Sequence, residues 1–130
     1  MSYYFNKTFK NKNFEAVIQL VTDELKKEGF GVLTEIDVKT TLKKKINADI
    51  NKYKILGACN PHFANEALKV EDKLGVLLPC NIIVQEHEDG EVEVSAVDPI
   101  ASMGFVKNKS LENIANEVQQ KLIKVIDSMG

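Results

Sequence analysis

The sequence predicts an α+β fold, a two-layer α/β sandwich of about five strands with helices in the order β-α-β-α-β-α-β-β-α. Apolar residues alternate in some segments and recur every three to four positions in others, which distinguishes strands from helices. Asp89-Gly90 joins two alternating segments and is typical of a tight hairpin turn. The length of 130 residues, with 44% hydrophobic and 28% charged residues, is typical of one globular unit. We therefore predict a single domain over residues 1–130.

The spacing of apolar residues predicts the first half of the chain element by element. Alternation over residues 2–10 indicates a strand, and a period of three to four residues then indicates a helix over 13–28. Residues 30–36 alternate again, and Asp37 can cap the short helix that follows. The β-forming and small residues of 53–59 predict a buried third strand.

The dipeptide Asn60-Pro61 predicts the start of a third helix, because Asn is a favoured N-cap and Pro is favoured at the first helical position. We expect this helix to end near Asp72. Residues 74–79 are then predicted to be an extended connection to the next strand. The helix is expected to bury Phe63, Ala64, Ala67 and Leu68.

Two strands and a long helix complete the predicted fold. Residues 81–87 should pair with 91–97, so that Ile82 and Val84 share one core with Val92, Val94 and Ala96. The polar residues between them predict a sheet with a solvated region. Residues 100–109 have no clear period and are predicted to be a loop or irregular lid. Ser110 is the expected cap of the last helix, whose apolar stripe comprises Leu111, Ile114, Ala115, Val118, Leu122, Val125, Ile126 and Met129.

The net charge indicates which partners to expect, and the hydropathy of the chain indicates its location in the cell. Seventeen basic and nineteen acidic side chains give a net charge of -2, so nothing in the charge favours nucleic acid or an anionic membrane as a partner. The N-terminus lacks the pattern of a secretory signal, and no apolar run has the roughly 18 to 20 residues that cross a bilayer. We predict a cytoplasmic protein in which Cys59 and Cys80 remain thiols.

A repeated polar motif marks the candidate binding site. Cys59 and Asn60 end the third strand, whereas Cys80 and Asn81 begin the fourth, and the connection between them is long enough to bring both to one end of the sheet. Cys59 would lie just before a helix N-terminus, where a thiolate is stabilised. His62, in the first helical turn, could act as a third soft ligand or a proton carrier.

A structural interpretation of the same residues is also open. A free Cys is commonly a small buried hydrophobe, and the two Asn residues could satisfy strand-end backbone groups. Two cysteines 21 positions apart lack the spacing of a zinc or redox motif, and the sequence contains neither a phosphate-binding glycine loop nor a nucleophile elbow. The sequence therefore assigns no catalytic residue, identifies no cofactor or metal, and leaves enzyme activity open.

Several short segments of this chain, in this order and spacing, resemble the bacterial and archaeal domain-of-unknown-function 302 family. The resemblance covers nearly the whole domain. It implies a compact α+β domain that is often dimeric and has no established reaction. Family sequences include forms without the cysteines, which implies architectural roles for Asn60, Pro61 and Pro79. The segments are Gly29-Phe30, Ile36-Asp37, Leu56-Gly57-Ala58-Cys59-Asn60-Pro61, Ala67-Leu68, Leu77-Leu78-Pro79-Cys80-Asn81 and Val97-Asp98-Pro99.

Two hypotheses about function follow. The first is a non-enzymatic domain that forms a homodimer and presents a pocket or groove, at the Cys59/Cys80 end of the sheet, to a small molecule or a protein. The second is a thiol-based redox or soft-metal-binding protein that uses Cys59 and Cys80 as a pair, with His62 nearby.

Overall fold

The predicted α+β class is confirmed by the computed structural model, which describes residues 2–130. Five strands and five helices alternate much as the spacing of apolar residues predicts. A short 3-10 helix lies between α3 and β4. The elements are β1 (Tyr4–Phe9), α1 (Phe14–Lys27), β2 (Gly31–Asp37), α2 (Val38–Ile46), β3 (Tyr53–Cys59), α3 (Pro61–Val70), the 3-10 helix (Leu74–Leu77), β4 (Cys80–Glu86), β5 (Val92–Val97), α4 (Pro99–Met103) and α5 (Lys109–Asp127).

The strands form one sheet in the order β1-β5-β4-β3-β2, and each neighbouring pair is antiparallel. The hairpin of β4 and β5 has the expected register, with Ile82 opposite Ala96 and Val84 opposite Val94. β1 and β2 lie at opposite edges, so α1 must cross the sheet to connect them. This crossing places α1 over the centre of the sheet.

The main core lies between the sheet and helices α1 and α5. Val17, Val21 and Leu25 of α1 are fully buried, as are Ile82 and Val84 of β4. The expected sharing of one core by β4 and β5 is confirmed, since Val92, Val94 and Ala96 belong to the same cluster. Most of the apolar stripe predicted for the last helix is buried as well, which anchors α5 across the sheet. No helix within residues 2–130 has the length and apolarity needed to cross a membrane.

Two segments differ from the sequence predictions in their backbone conformation. Residues 74–77 form a 3-10 helix rather than an extended connection, because this turn directs both Leu74 and Leu77, three positions apart, into a second apolar cluster with Ala67 and Leu111. The predicted loop after β5 begins with helix α4. Its N-cap is Asp98, whose carboxylate accepts a hydrogen bond from the backbone N–H of Ile100 at 3.0 Å.

Three details of helix ends and faces also need correction. The N-cap of α5 is Asn108, not Ser110: its side chain accepts from the Leu111 N–H at 3.2 Å and donates to the Val70 carbonyl at 2.8 Å. Because of this second bond, Asn108 pairs with a backbone carbonyl at the end of α3 as well as with a backbone N–H at the start of α5. Helix α3 ends at Val70, earlier than expected, and Leu68 is 40% exposed rather than buried.

Candidate functional site

A cavity of about 340 Å³ lies at the end of the sheet where β3 ends and β4 begins. Strands β2, β3 and β4, helices α3, α4 and α5 and the 3-10 helix all contribute to its wall. Among the described residues that line it, none is acidic or basic. Aromatic and aliphatic side chains make up most of the wall, including Phe30, Phe63, Leu74, Leu78, Met103 and Ile114.

The cavity exists because two apolar clusters meet there without filling the space between them. Phe30 and Val118 belong to the main core, whereas Leu74 and Leu111 belong to the second cluster, and all four line the cavity. The alanines on its wall have side chains too short to close the gap. They are Ala58, Ala64, Ala67 and Ala115.

Cys59 and Cys80 both line the cavity, and both are free, half-buried thiols. Cys80 lies opposite Ala58 in the sheet register, and Ala58 directly precedes Cys59 in β3. Burial raises the pKa of the Cys80 thiol to about 11, and repulsion from Cys59 adds to this effect. Cys80 is therefore a protonated, uncharged group of the wall at neutral pH.

Asn60 lines the same cavity and is 8% exposed. It occupies the predicted N-cap position of α3, but its side chain makes no capping hydrogen bond to that helix. Instead, Nδ2 donates to the backbone carbonyl of Glu28 at 3.2 Å. Asn60 thus fixes one corner of the cavity by joining α3 to the end of α1.

The other two predicted binding residues lie elsewhere. His62 is exposed on α3 and does not line the cavity. Asn81 is exposed on β4 and contributes to a groove on the opposite face of the sheet. Residues 2–130 contain no group of three His, Cys, Asp or Glu side chains that could hold a metal ion. The soft-metal hypothesis with Cys59, Cys80 and His62 is therefore not favoured.

The mouth of the cavity includes two residues that the sequence does not predict for the site. Leu33 is 69% exposed and Leu68 is 40% exposed, and both line the cavity. The register of β2 against β3 shifts between Val32 and Thr34, so Leu33 lies at a bulge. A bulge of this kind breaks the alternation of side chains, and strand periodicity cannot reveal which residue it exposes.

The opposite face of the sheet carries few charges. One row of side chains across all five strands consists of Asn6, Ser95, Ile83, Ile55 and Ile36. Such a row is neutral from one edge of the sheet to the other, and its three isoleucines make most of it apolar.

Glu93 lies beside that row and is held by two neighbours. It accepts hydrogen bonds from Asn6 at 2.6 Å and from His87 at 2.8 Å. Partial burial opposes ionisation of Glu93, but the hydrogen bonds from Asn6 and His87 and the charge of His87 outweigh it, so the pKa of Glu93 lies below its usual value.

These features define a small α+β domain with a five-stranded antiparallel sheet and an apolar cavity at one end of that sheet. The chain belongs to the family described as domain of unknown function DUF302, whose model matches residues 5–129. It is similar to the crystal structure of an uncharacterized conserved DUF302 protein from Bacillus stearothermophilus, with a TM-score of 0.91 and 25% identity over 100% of both chains. No curated protein matches the chain.

Proposed function

We propose that this protein binds a small molecule in the apolar cavity at the Cys59/Cys80 end of the sheet. The observation that carries the proposal is the cavity itself, whose volume of about 340 Å³ falls in the range of small-molecule sites. Protein interiors are normally close-packed, so an apolar space of this size leaves contacts unmade. An apolar ligand that fills this space would make those contacts.

The binding test uses the neutral fluorescent probe N-phenyl-1-naphthylamine. We expect saturable binding to the native protein with an increase in fluorescence. Ala64→Leu adds bulk to a residue of the cavity wall and should weaken binding at least tenfold. Ala16→Leu is the matched control, since Ala16 is exposed on α1 and does not line the cavity. Circular dichroism of both variants checks that they fold. The absence of saturable binding to the native protein would refute the proposal.

The charge-poor face of the sheet favours a second role, self-association into a homodimer through this face. Glu93 is the only acidic or basic residue among the strand positions that share this face, in a chain with 28% charged residues. Its carboxylate already accepts hydrogen bonds from Asn6 and His87. A second copy would therefore meet a surface with few charges, and interface centres are depleted in charge in the same way.

Sedimentation equilibrium across the micromolar range tests the dimer. The native protein should sediment as a dimer, and Ile83→Glu should shift it to a monomer because it places an unpaired charge in the interface. Val76→Glu is the control, since Val76 is 85% exposed on the 3-10 helix and does not belong to the sheet. A native monomer at all concentrations rules out self-association, and a partner of another kind would then be the occupant of this face.

A cytoplasmic location is part of the proposal. Both cysteines are free thiols, and thiols persist in the reducing cytosol. Cell fractionation tests the location, and recovery of the protein with exported or membrane material would contradict it.

A further inference from the structure

We infer that the cavity selects an uncharged apolar molecule with one hydrogen-bonding group, such as a medium-chain alcohol, over an anion or cation of the same shape. This inference rests on the proposed function, because it specifies the ligand of the same site. It concerns the chemistry of the wall, which separates neutral ligands from charged ones independently of cavity size.

The wall offers no charged partner to a charged ligand. More than a quarter of the residues in the chain are charged, yet every described residue that lines the cavity is neutral in type. Transfer of an ionised carboxylate or ammonium group into such surroundings is costly unless an opposite charge and hydrogen bonds compensate. An apolar molecule with a carboxylate would have to keep that charged group in the solvent at the mouth, or enter the cavity as the neutral acid.

Two lysines of α5 close to this site, Lys121 and Lys124, are already engaged. Lys121 lies over the ring of Phe63 at 6.0 Å, but it does not itself line the cavity. Its ammonium group is 3.9 Å from the carboxylate of Glu28, and Lys124 is 3.4 Å from the same carboxylate. Glu28 thus pairs with both lysines, whose charges offset its own charge rather than that of a ligand.

The polar groups of the wall suit one neutral hydrogen-bonding group. Asn60 uses part of its amide to bond the Glu28 carbonyl, and the rest of its side chain stays on the wall. Thr34, beside the exposed Leu33, also lines the cavity. Cys80 remains a thiol because its pKa is about 11. An alcohol can donate to or accept from these groups without bringing a charge into the cavity.

The test compares three molecules with the same chain length: decan-1-ol, decanoate and decylammonium. Each competes with N-phenyl-1-naphthylamine for the native protein, below the concentration at which it aggregates. We expect decan-1-ol to displace the probe with a Kd at least tenfold lower than either ion at neutral pH. Decanoate should bind more tightly as the pH falls toward the pKa of its carboxyl group, because the neutral acid then forms, whereas binding of decan-1-ol should not change.

A substitution at the mouth tests the origin of this preference. Leu68→Lys adds an ammonium group at a residue that is 40% exposed and lines the cavity, and it should raise the affinity for decanoate relative to decan-1-ol by at least fivefold. Leu68→Gln is the neutral control and should leave the ratio unchanged. Equal effects of the two variants would overturn the argument from wall charge.

Two outcomes separate this inference from the proposed function. If the native protein binds the probe but binds decanoate as tightly as decan-1-ol at neutral pH, the selectivity is wrong and the binding site stands. If the probe does not bind, the proposed function fails and the inference fails with it.

Discussion

Asn60 donates its side-chain N–H to the backbone carbonyl of Glu28, with a donor–acceptor distance of 3.2 Å. The bond joins the residue that follows α1 to the residue that precedes α3. Gly29 adjoins it with φ of 86°, a left-handed conformation that favours glycine, and a Cβ there would lie 3.1 Å from Asn60 Nδ2. The Asn-Pro motif therefore serves here as a tertiary donor at the cavity wall.

Replacement of Asn60 tests this donor role. Asn60→Ala should lower the free energy of unfolding by about 0.5–1.5 kcal/mol, because the partly buried hydrogen bond to the Glu28 carbonyl is lost. Asn60→Asp should not restore stability, although Asp is an equally good N-cap, because a carboxylate cannot donate to the carbonyl of Glu28. Urea unfolding of both variants measures the effect. Full recovery with Asp would show that the residue acts as a helix cap instead.

Close packing around Gly57 gives a second prediction. A Cβ at this position would overlap Thr34 Oγ1 and lie 2.8 Å from Pro79 Cγ, so Gly57→Ala should destabilise the protein by about 1–3 kcal/mol through overpacking. Thr34→Ala in the Gly57→Ala background should recover part of the loss by removing one of the two overlaps.

The control for Gly57 is another strand glycine. A Cβ added at Gly31 would have no atom within 4 Å, so Gly31→Ala should be neutral or slightly stabilising. Thermal unfolding of the native protein and the three variants provides the comparison. Equal losses for Gly31→Ala and Gly57→Ala would contradict the packing argument.

Local spacing is sufficient to predict most of the fold. The strand over Tyr53–Cys59 and the start of a helix at Pro61 are predicted at their observed positions, because alternation and the Asn-Pro signal depend on nearby residues. Helix α4 is not predicted, although Asp98-Pro99 is a start signal of the same type as Asn60-Pro61. The same dipeptide also ends a strand, and five residues are too few to show a helical period.

The sequence predicts only those residues of the candidate site that belong to short local motifs. Cys59, Asn60 and Cys80 lie at the ends of two neighbouring strands, and the polar motifs identify those ends. The apolar wall is not predictable, because Phe30 and Met103 are far apart in sequence and meet only through the packing of two clusters. Apolar residues of a cavity wall follow the same periodicity as apolar residues of a filled core.

The pKa of Glu93 gives a prediction of pH dependence. Because the pKa is lower in the folded protein than in the unfolded chain, where it is about 4.3, ionised Glu93 stabilises the fold above that pH. This contribution is lost as the pH falls through the folded-state pKa. Glu93→Gln should therefore be less stable than the native protein near neutral pH, and the difference should shrink on acidification.

Urea unfolding of both proteins at a series of pH values measures this difference. Asn6→Ala should reduce the same pH dependence, because Asn6 donates one of the hydrogen bonds that lower the pKa. Glu117→Gln removes an exposed carboxylate from α5 and controls for net charge. A stability difference for Glu93→Gln that grows on acidification would show that burial, which opposes ionisation, is the stronger effect.

The last prediction concerns the two thiols of the cavity wall. Cys80 is half-buried, and this burial raises its pKa to about 11, so at neutral pH almost none of it is the reactive thiolate. Cys59 lies at the end of β3, just before α3, and its thiol is half-buried and free. Iodoacetamide should therefore alkylate Cys59 faster than Cys80 in the native protein.

Peptide mass spectrometry of native and urea-unfolded protein measures each rate, with Cys59→Ser and Cys80→Ser as single-thiol controls. Both thiols should react at similar rates once the chain is unfolded, because the fold alone distinguishes them. N-phenyl-1-naphthylamine should slow the reaction of Cys59 in the native protein, since both thiols line the cavity that the probe is expected to fill. Reaction of Cys59 only after unfolding would make it a packing residue, because an apolar environment both destabilises the thiolate and excludes the reagent.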